Sequence, residues 1–314
     1  MPSSTTEAPR ATARCWVCGS VGAAPWKGSH LERPLEPADL RITDERYGLT
    51  LPLRRCRTCG FIFAEAADVE RLTALYEGLV DPGYEESQEP RRLQMRRLLD
   101  IAGRARPGAR SLLDVGAGAG LLVAEARTRG LDAVGVEPSR ALCAAARALH
   151  GIDLLAGVLP HPALDGRRFD LVCLVDVLEH VSDPVALLQA AAVHLAPAGV
   201  LVLVTPDVGS VAARLLRARW WHFRLAHVGY FDRRSLERAI VRAGLAPISV
   251  RRAKWYFSIG YLAVRLQQYL PIGWLNRLAS RSAPGRALLG TTVPLDLRDS
   301  FLVLLRHAAP SATA

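Results

Sequence analysis

At 314 residues, half of them hydrophobic, the chain has material for an α/β domain of roughly two hundred residues with a smaller unit beside it. Its longest apolar runs, Leu171 to Leu178 and Gly199 to Val204, fall well short of the roughly 18 residues that cross a bilayer, and Met1 to Arg14 lacks the apolar core of a signal peptide, so a cytoplasmic protein with a disordered lead-in over 1–14 is expected. The formal charge is +10, yet only Lys27 and Lys254 are lysines and the arginine pairs (Arg91 with Arg92, Arg233 with Arg234) are scattered, which points to solvated faces more than to a nucleic-acid stripe.

The first elements are two Cys-x-x-Cys-Gly units, Cys15 to Gly19 and Cys56 to Gly60. Two thiolates two residues apart can grip one metal from a tight turn, the glycine lets the chain fold back, and two such turns complete a tetrahedral four-thiolate site. Redox or structural disulfides are the alternative, disfavoured in a reducing compartment. With Cys15, Cys18, Cys56 and Cys59 all committed, a zinc ion there would hold structure and leave no position for catalysis. The segment between the knuckles, Leu31 to Leu53, reads as ribbon strands and loops. Cys143 and Cys173 lie in apolar runs and are expected in the core.

After a linker near Asp81 to Pro90, helical periodicity begins at Arg91 and ends at Gly103 and Pro107. Ser111 to Val115 reads as a buried strand entering Gly116-Ala117-Gly118-Ala119-Gly120, followed by a helix over Leu121 to Arg129. A second strand, Asp132 to Val136, ends at Glu137, and Pro138 is expected to open the next helix. Further strands are expected near Ile152 to Leu155, Phe169 to Val175 and Val200 to Thr205, with a helix starting at Asp183-Pro184. Strands alternating with helices imply a parallel sheet with right-handed crossovers, whose ligands collect at the carboxyl ends of the strands. The glycine turn falls there, and Glu137, about 20 residues on, is placed to accept the hydroxyls of a ribose. A dinucleotide fingerprint would put its third glycine where Leu121 stands; the spacing here is Gly-x-Gly-x-Gly behind Asp114.

The ordered set Leu112 to Gly120, Glu137, Phe169 to Val172 through Leu178 to Val181, and Leu195 to Gly199 resembles the motifs of class I S-adenosylmethionine (SAM)-dependent methyltransferases. The resemblance implies a Rossmann-like class I methyltransferase sheet with a small N-terminal zinc ribbon. It implies further that Asp114, Gly116 and Gly118 lie around the methionine part of SAM, that Glu137 holds the ribose, and that Val175 and Asp176 line the cofactor site, with Ala117, Gly120 and Pro138 completing the set. With both Cys-x-x-Cys-Gly units, Leu75-Tyr76, Tyr84 and His227 to Phe231, the chain also resembles bacterial methyltransferases that carry a four-cysteine ribbon, sugar C-methyltransferases among them. Where those enzymes carry Tyr-x-Glu-His, this chain reads Arg224-Leu225-Ala226-His227, so only the histidine corresponds.

Methyl transfer to a hydroxyl or carbon acid needs a proton removed, and histidine suits that role near neutral pH. His180 and His227 are therefore the expected catalytic residues, with Tyr84 covering the pocket; His222 and Trp221 are read as core aromatics first and as pocket walls second. The expected organisation is a ribbon over 15–65, a linker or lid over 66–90, the cofactor domain over 91–254, a helical insertion over 255–295, a last antiparallel strand over 296–308 and a tail over 309–314. A strand near Ile248 to Arg252 should pair with Ser300 to Leu305. The insertion, rich in Trp, Tyr and Leu at helical spacing, is expected to pack on the domain, act as a lid or dimer surface, or meet a membrane through 255–275. The expected acceptor is a small molecule or saccharide, lipid-linked in the membrane case. An RNA acceptor gripped by the ribbon ranks second, because no aromatic-basic interleaving marks the ribbon, and a non-catalytic SAM-binding protein ranks third.

Overall fold

The computed structural model describes residues 13–29, 33, 35–40, 48–65, 68, 69, 72, 75, 88–267, 270, 274, 277 and 279–309. Thirteen strands occur among them: β1 Ala23–Lys27, β2 Leu53–Cys56, β3 Ile62–Ala64, β4 Ser111–Val115, β5 Asp132–Glu137, β6 Leu155–Ala156, β7 Phe169–Val175, β8 Leu195–Pro206, β9 Gly229–Tyr230, β10 Leu245–Arg252, β11 Trp255–Ser258, β12 Thr292–Leu295 and β13 Ser300–His307. The helices are α1 Gln88–Ala105, α2 Leu121–Thr128, α3 Arg140–His150, α4 Pro184–Val193, α5 Val211–Leu216, α6 Arg233–Arg242, α7 Ile259–Leu266 and α8 Ala283–Gly290.

Seven strands form one sheet in the order β10-β13-β8-β7-β4-β5-β6. All run parallel except β13, which is antiparallel to β8 and β10. This is the mixed, helix-flanked sheet of class I methyltransferases, and the pairing of β10 with β13 is the one the sequence predicted. The central strands are apolar throughout because both faces are covered, and successive residues feed opposite layers. Leu112, Leu171, Val202 and Leu302 pack with Leu98, Leu99 and Ala102 of α1 and Leu122 and Val123 of α2. Their neighbours Leu113, Val172, Leu203 and Val303 pack with Leu188 of α4 and Leu236 and Ile240 of α6.

Helix starts follow cap chemistry. Asp183 accepts the Ala186 N–H ahead of α4, and Asp232 forms a capping box with Ser235 ahead of α6. Two expected starts are corrected. Helix α1 begins three residues before Arg91, taking Pro90 into its first turn, where a missing N–H costs nothing. Pro138 does not open α3: Ser139 is its N-cap, its hydroxyl accepting from Leu142 N–H at 3.2 Å. The Ser139 N–H is meanwhile donated to the Glu137 carboxylate at 2.9 Å, so the chain turns once more before the helix begins.

A second sheet, β1-β2-β3-β9, carries the cysteine knuckles. Its fourth strand comes from far along the chain: Ile62 pairs with Tyr230 and Phe63 with Gly229. Cys15, Val17, Cys59 and Phe61 are buried in the same cluster as Leu236 and Ile240, so the knuckles dock on the α4 and α6 side of the large sheet. The insertion is a β11–β12 hairpin carrying α7 and α8, neither of which buries a residue. Leu266, Leu270, Trp274 and Leu288 are exposed on it. Among the described residues no helix is long and apolar enough to cross a membrane.

Candidate functional site

The glycine turn leaves β4 with positive φ at Gly116 (74°), Gly118 (55°) and Gly120 (76°), a region open to glycine at little cost. Gly116 and Ala117 donate to Val136 O at 2.9 and 3.0 Å, which draws the turn over the end of β5. A Cβ on Gly116 would come 2.6 Å from Cγ2 of Val177, so that position is closed to a side chain by space as well as by backbone. Gly118 N–H donates to Glu137 Oε2 at 2.8 Å, and Ser139 N–H to Oε1 at 2.9 Å. Each carboxylate oxygen keeps acceptor capacity. Burial pushes Glu137 up to about 7 against the pull of the Ser139 and Gly118 amides. Asp114, on β4, is also raised to about 7, by burial and then by the Glu137 charge. The structure thus brings Asp114, the turn and Glu137 together, with Pro138 half-buried beside them.

Across the carboxyl edge, Val175 ends β7 and Asp176 follows with φ 54°, a strained conformation for a residue with a Cβ. Its Oδ1 is buried without a hydrogen-bond partner among the described residues. Burial raises its pKa to about 7, an effect Arg91 offsets in part and Asp299 adds to.

The expected histidines meet at a corner beyond Asp176. The ring centroids of His180 and His227 are 4.7 Å apart, edge to face, and His222 stacks on His227 at 5.9 Å. His180 Nδ1 donates to Ala226 O at 2.8 Å, so its Nε2 carries the lone pair. Burial lowers His180 to about 4, the Ala226 bond opposing. His227 is held well below the usual histidine range by burial and then by its two histidine neighbours, and its Nδ1 has no hydrogen-bond partner among the described residues. Both rings are neutral at pH 7. Glu179 accepts from Thr205 Oγ1 at 2.8 Å while its Oε1 has no partner among the described residues, and burial keeps it protonated well above the usual range. One ligand atom each from Glu179, His180 and His227 lies within 4.8 Å of the others, a spacing that could also hold a divalent cation.

Asp299 carried no signal in the sequence. It sits just before β13, accepts from Trp220 Nε1 at 3.3 Å and lies 3.4 Å from His222 Nε2. Burial pushes its carboxyl up, but His222 and Trp220 outweigh that and hold it low. Asp207, at the end of β8, is likewise new, bound to Arg252 at 2.6 Å. Trp221 is half-buried, and its ring lies 6.3 Å from that of His222. Tyr84, with Tyr76, lies outside the described residues.

The backbone that carries His227 is held from the knuckle sheet. Ala64 donates to Val228 O and Val228 to Glu179 O, both at 2.8 Å, so β3 is stitched to the segments of both catalytic candidates. The knuckles themselves are closed by Gly19 N–H on Cys15 O and Gly60 N–H on Cys56 O, at 2.8 and 3.0 Å. The four sulfurs form one cluster, with Cys15 to Cys59 at 3.6 Å and Cys18 to Cys56 at 3.5 Å. A tetrahedron with Zn–S bonds of about 2.3 Å has edges of about 3.8 Å, so the donor set fits a metal-binding motif and no pair is at disulfide distance. Cys173 is core, as expected, and Cys143 is half-buried with its thiol 3.5 Å from Glu137 O.

Comparison with known proteins gives consistent relatives. The chain is 34% identical over 129 residues to a ubiquinone biosynthesis O-methyltransferase of Rhodopseudomonas palustris, covering 38% of this chain and 44% of that protein. It is 38% identical over 125 residues to the Bradyrhizobium protein of the same name, with the same coverage. The chain therefore spans less than half the length of the curated relatives it matches. Among solved structures, the sugar N-methyltransferase KedS8 of Streptoalloteichus matches at 36% identity with a TM-score of 0.32, over 35% of this chain and 46% of that one. A family profile described as a methyltransferase domain matches residues 86–250, more than half the chain, and the protein belongs to that methyltransferase family.

Proposed function

We propose that the protein is a SAM-dependent methyltransferase acting on a hydroxyl of a small-molecule or saccharide acceptor. The observation that carries this reading is the Glu137 carboxylate, drawn over the glycine turn by Gly118 and Ser139 with acceptor capacity to spare, on the sheet edge that also holds Asp176 and the neutral histidines. When bound, SAM supplies an activated methyl group whose sulfonium charge is neutralised on transfer. Glu137 would hold the ribose hydroxyls, while Asp114, the Gly116 to Gly120 turn, Pro138, Val175 and Asp176 shape the rest of the site. His180, with Nδ1 committed to Ala226, has Nε2 free to take the acceptor's proton, and His227 shares that role or orients the acceptor. Tyr84 remains the proposed cover of the pocket.

The relatives named as O-methyltransferases support oxygen as the acceptor atom. The buried face of the knuckles supports a small-molecule acceptor over RNA: Cys15, Val17, Cys59 and Phe61 pack on the protein itself, which leaves the metal motif a structural role, proposed here as zinc. The exposed apolar residues of the insertion support contact of 255–275 with a lipid surface that presents a lipid-linked acceptor. Titration calorimetry with SAM followed by transfer of labelled methyl to phenolic and saccharide acceptors tests the proposal. Binding with turnover is expected. Binding of SAM without transfer to any fraction of a cell extract would leave a non-catalytic SAM-binding protein, and no binding would end the reading.

A further inference from the structure

One cavity lies outside the site described above, between α1 and the corner where β10 passes into β11. Its volume is about 160 Å³, close to the roughly 150 Å³ of an apolar cavity known to admit benzene. Leu98, Ile101 and Leu302 line it with apolar surface, and the indole of Trp255 adds a flat one. Four cations also line it, Arg97, Arg251, Arg252 and Lys254, and among the described residues no acidic one does. Two of them are already engaged: Arg252 binds Asp207 at 2.6 Å and Lys254 lies 3.7 Å from Asp296. Arg97 and Arg251 have no hydrogen-bond or ion-pair partner among the described residues.

Gln94 is the second, independent observation. It is 8% exposed, it lines the cavity, and its amide makes no side-chain hydrogen bond among the described residues. Its amide atoms remain open to the cavity, where they can donate to or accept from a ligand. An apolar floor, a flat indole, an idle amide and two idle guanidinium groups suit one kind of ligand. Guanidinium forks match oxyanions in geometry and charge, and the floor and indole match a ring.

We propose that this cavity binds a soluble small molecule in which a phosphate or carboxylate is attached to a planar or apolar ring. Arg97 and Arg251 hold the oxyanion, Gln94 takes one of its oxygens or a ring substituent, and the ring lies against Trp255, Leu98 and Leu302. The site is distinct from the glycine turn and lies on the Asp176 side of the carboxyl edge. Arg91, whose charge acts on Asp176, and Gln94, Leu98 and Ile101 recur along one face of α1, so the cavity opens about one turn, roughly 5 Å, along the helix. The inference does not depend on methyl transfer.

Calorimetric titration of the full chain with phenyl phosphate tests it, with phenol (ring without charge), inorganic phosphate (charge without ring) and phosphatidylglycerol vesicles as the other arms. Phenyl phosphate is expected to bind more tightly than either fragment, and the Arg97→Ala/Arg251→Ala double variant is expected to weaken it at least about tenfold. Gln94→Leu and Trp255→Leu should each weaken it less. Both arginines are exposed, so the double variant should fold, and SAM titration of the same variant is expected to be unchanged. That last measurement separates failure at this site from failure of the methyltransferase reading. The proposal is overturned if phenyl phosphate does not bind, if the arginine variant binds it equally well, if phenol binds as tightly, if SAM displaces it, or if only vesicles bind.

Discussion

The two halves of the carboxyl edge are built in opposite ways. On one side, Asp114, the glycine turn and Glu137 come from a single strand-turn-helix-strand unit, and the Glu137 carboxylate is placed by the Gly118 and Ser139 backbone amides of that same stretch. On the other, His180, His222, His227, Glu179 and Asp299 come from distant parts of the chain, and the strand that fixes His227 belongs to the cysteine sheet. A site made within one unit is robust to changes elsewhere. A corner assembled across the molecule inherits the weakness of every element that holds it.

Metal removal should expose this difference most strongly. Stripping the proposed zinc from the four-thiolate site should free the knuckles, and with them β3, which pairs with β9 beside His227. Methyl transfer is expected to fall to background and the thermal midpoint to drop, while SAM affinity changes far less. Metal content, activity and calorimetry measured on one preparation decide the matter. A metal-free protein that keeps full activity would show that β9 is held without the knuckles.

Single side chains should separate the halves more finely. His180→Asn and His227→Ala are expected to lower kcat by about 10²- to 10⁴-fold, the usual share of a general base, with SAM affinity intact. A loss of SAM binding in either variant would mean the corner is not independent of the turn. Because Glu179, His180 and His227 could hold a cation, turnover should also be followed with a chelator too weak to strip four thiolates. Unchanged turnover supports the proton-acceptor role, and loss restored by a divalent ion transfers the role to metal. Conversely, Glu137→Ala should cost about 3 kcal/mol of SAM affinity, roughly a hundredfold, from two hydrogen bonds to a charged group.

The pH dependence sharpens the same point. Glu137 is raised to about 7 in the folded protein, above its unfolded value. It is protonated in both states below the unfolded value and ionised in both above about 7, so its burial costs stability increasingly as pH rises through that window. The ionised form is the one that accepts a ribose hydroxyl on each oxygen. SAM affinity should therefore rise with pH up to about 7, by at most about tenfold per unit from Glu137 alone, and then level. Asp114 and Asp176, also raised to about 7, contribute to the same rise, so the Glu137→Gln variant should show a weaker slope and a lower plateau. An unchanged slope in that variant would assign the proton to the aspartates.

These contrasts explain what could be read in advance. The glycine turn and Glu137 sit at a short, fixed spacing, and the alternation of apolar strands with capped helices placed nearly every element of the large sheet. Asp299 has no such context: its meaning comes from Trp220 and His222, some 80 positions earlier, and no spacing rule links them. The two-residue strand β9 is too short for a periodic signal, and its partner β3 lies in a different sheet from the one its neighbours join. Pro138 misled because the cap chemistry belongs to the serine after it.

The smallest expected effect tests whether the assembled corner is fragile in function as well as in construction. Ser139 caps α3 beside Glu137, and Asp232 caps α6 immediately after β9 and Phe231. Replacing either cap by alanine should cost about 1 kcal/mol of stability, read from urea denaturation. The functional costs should differ. Ser139→Ala keeps the N–H that Glu137 accepts, because the backbone supplies it, so SAM affinity should stay within a factor of about three. Asp232→Ala loosens the start of the helix on which Cys15, Val17 and Phe61 are packed, and the disturbance passes through Phe231 to β9 and His227. A drop in kcat larger in Asp232→Ala than in Ser139→Ala, at equal loss of stability, is the outcome this construction requires; equal drops would mean that the cysteine sheet merely adds stability and does not set the histidine.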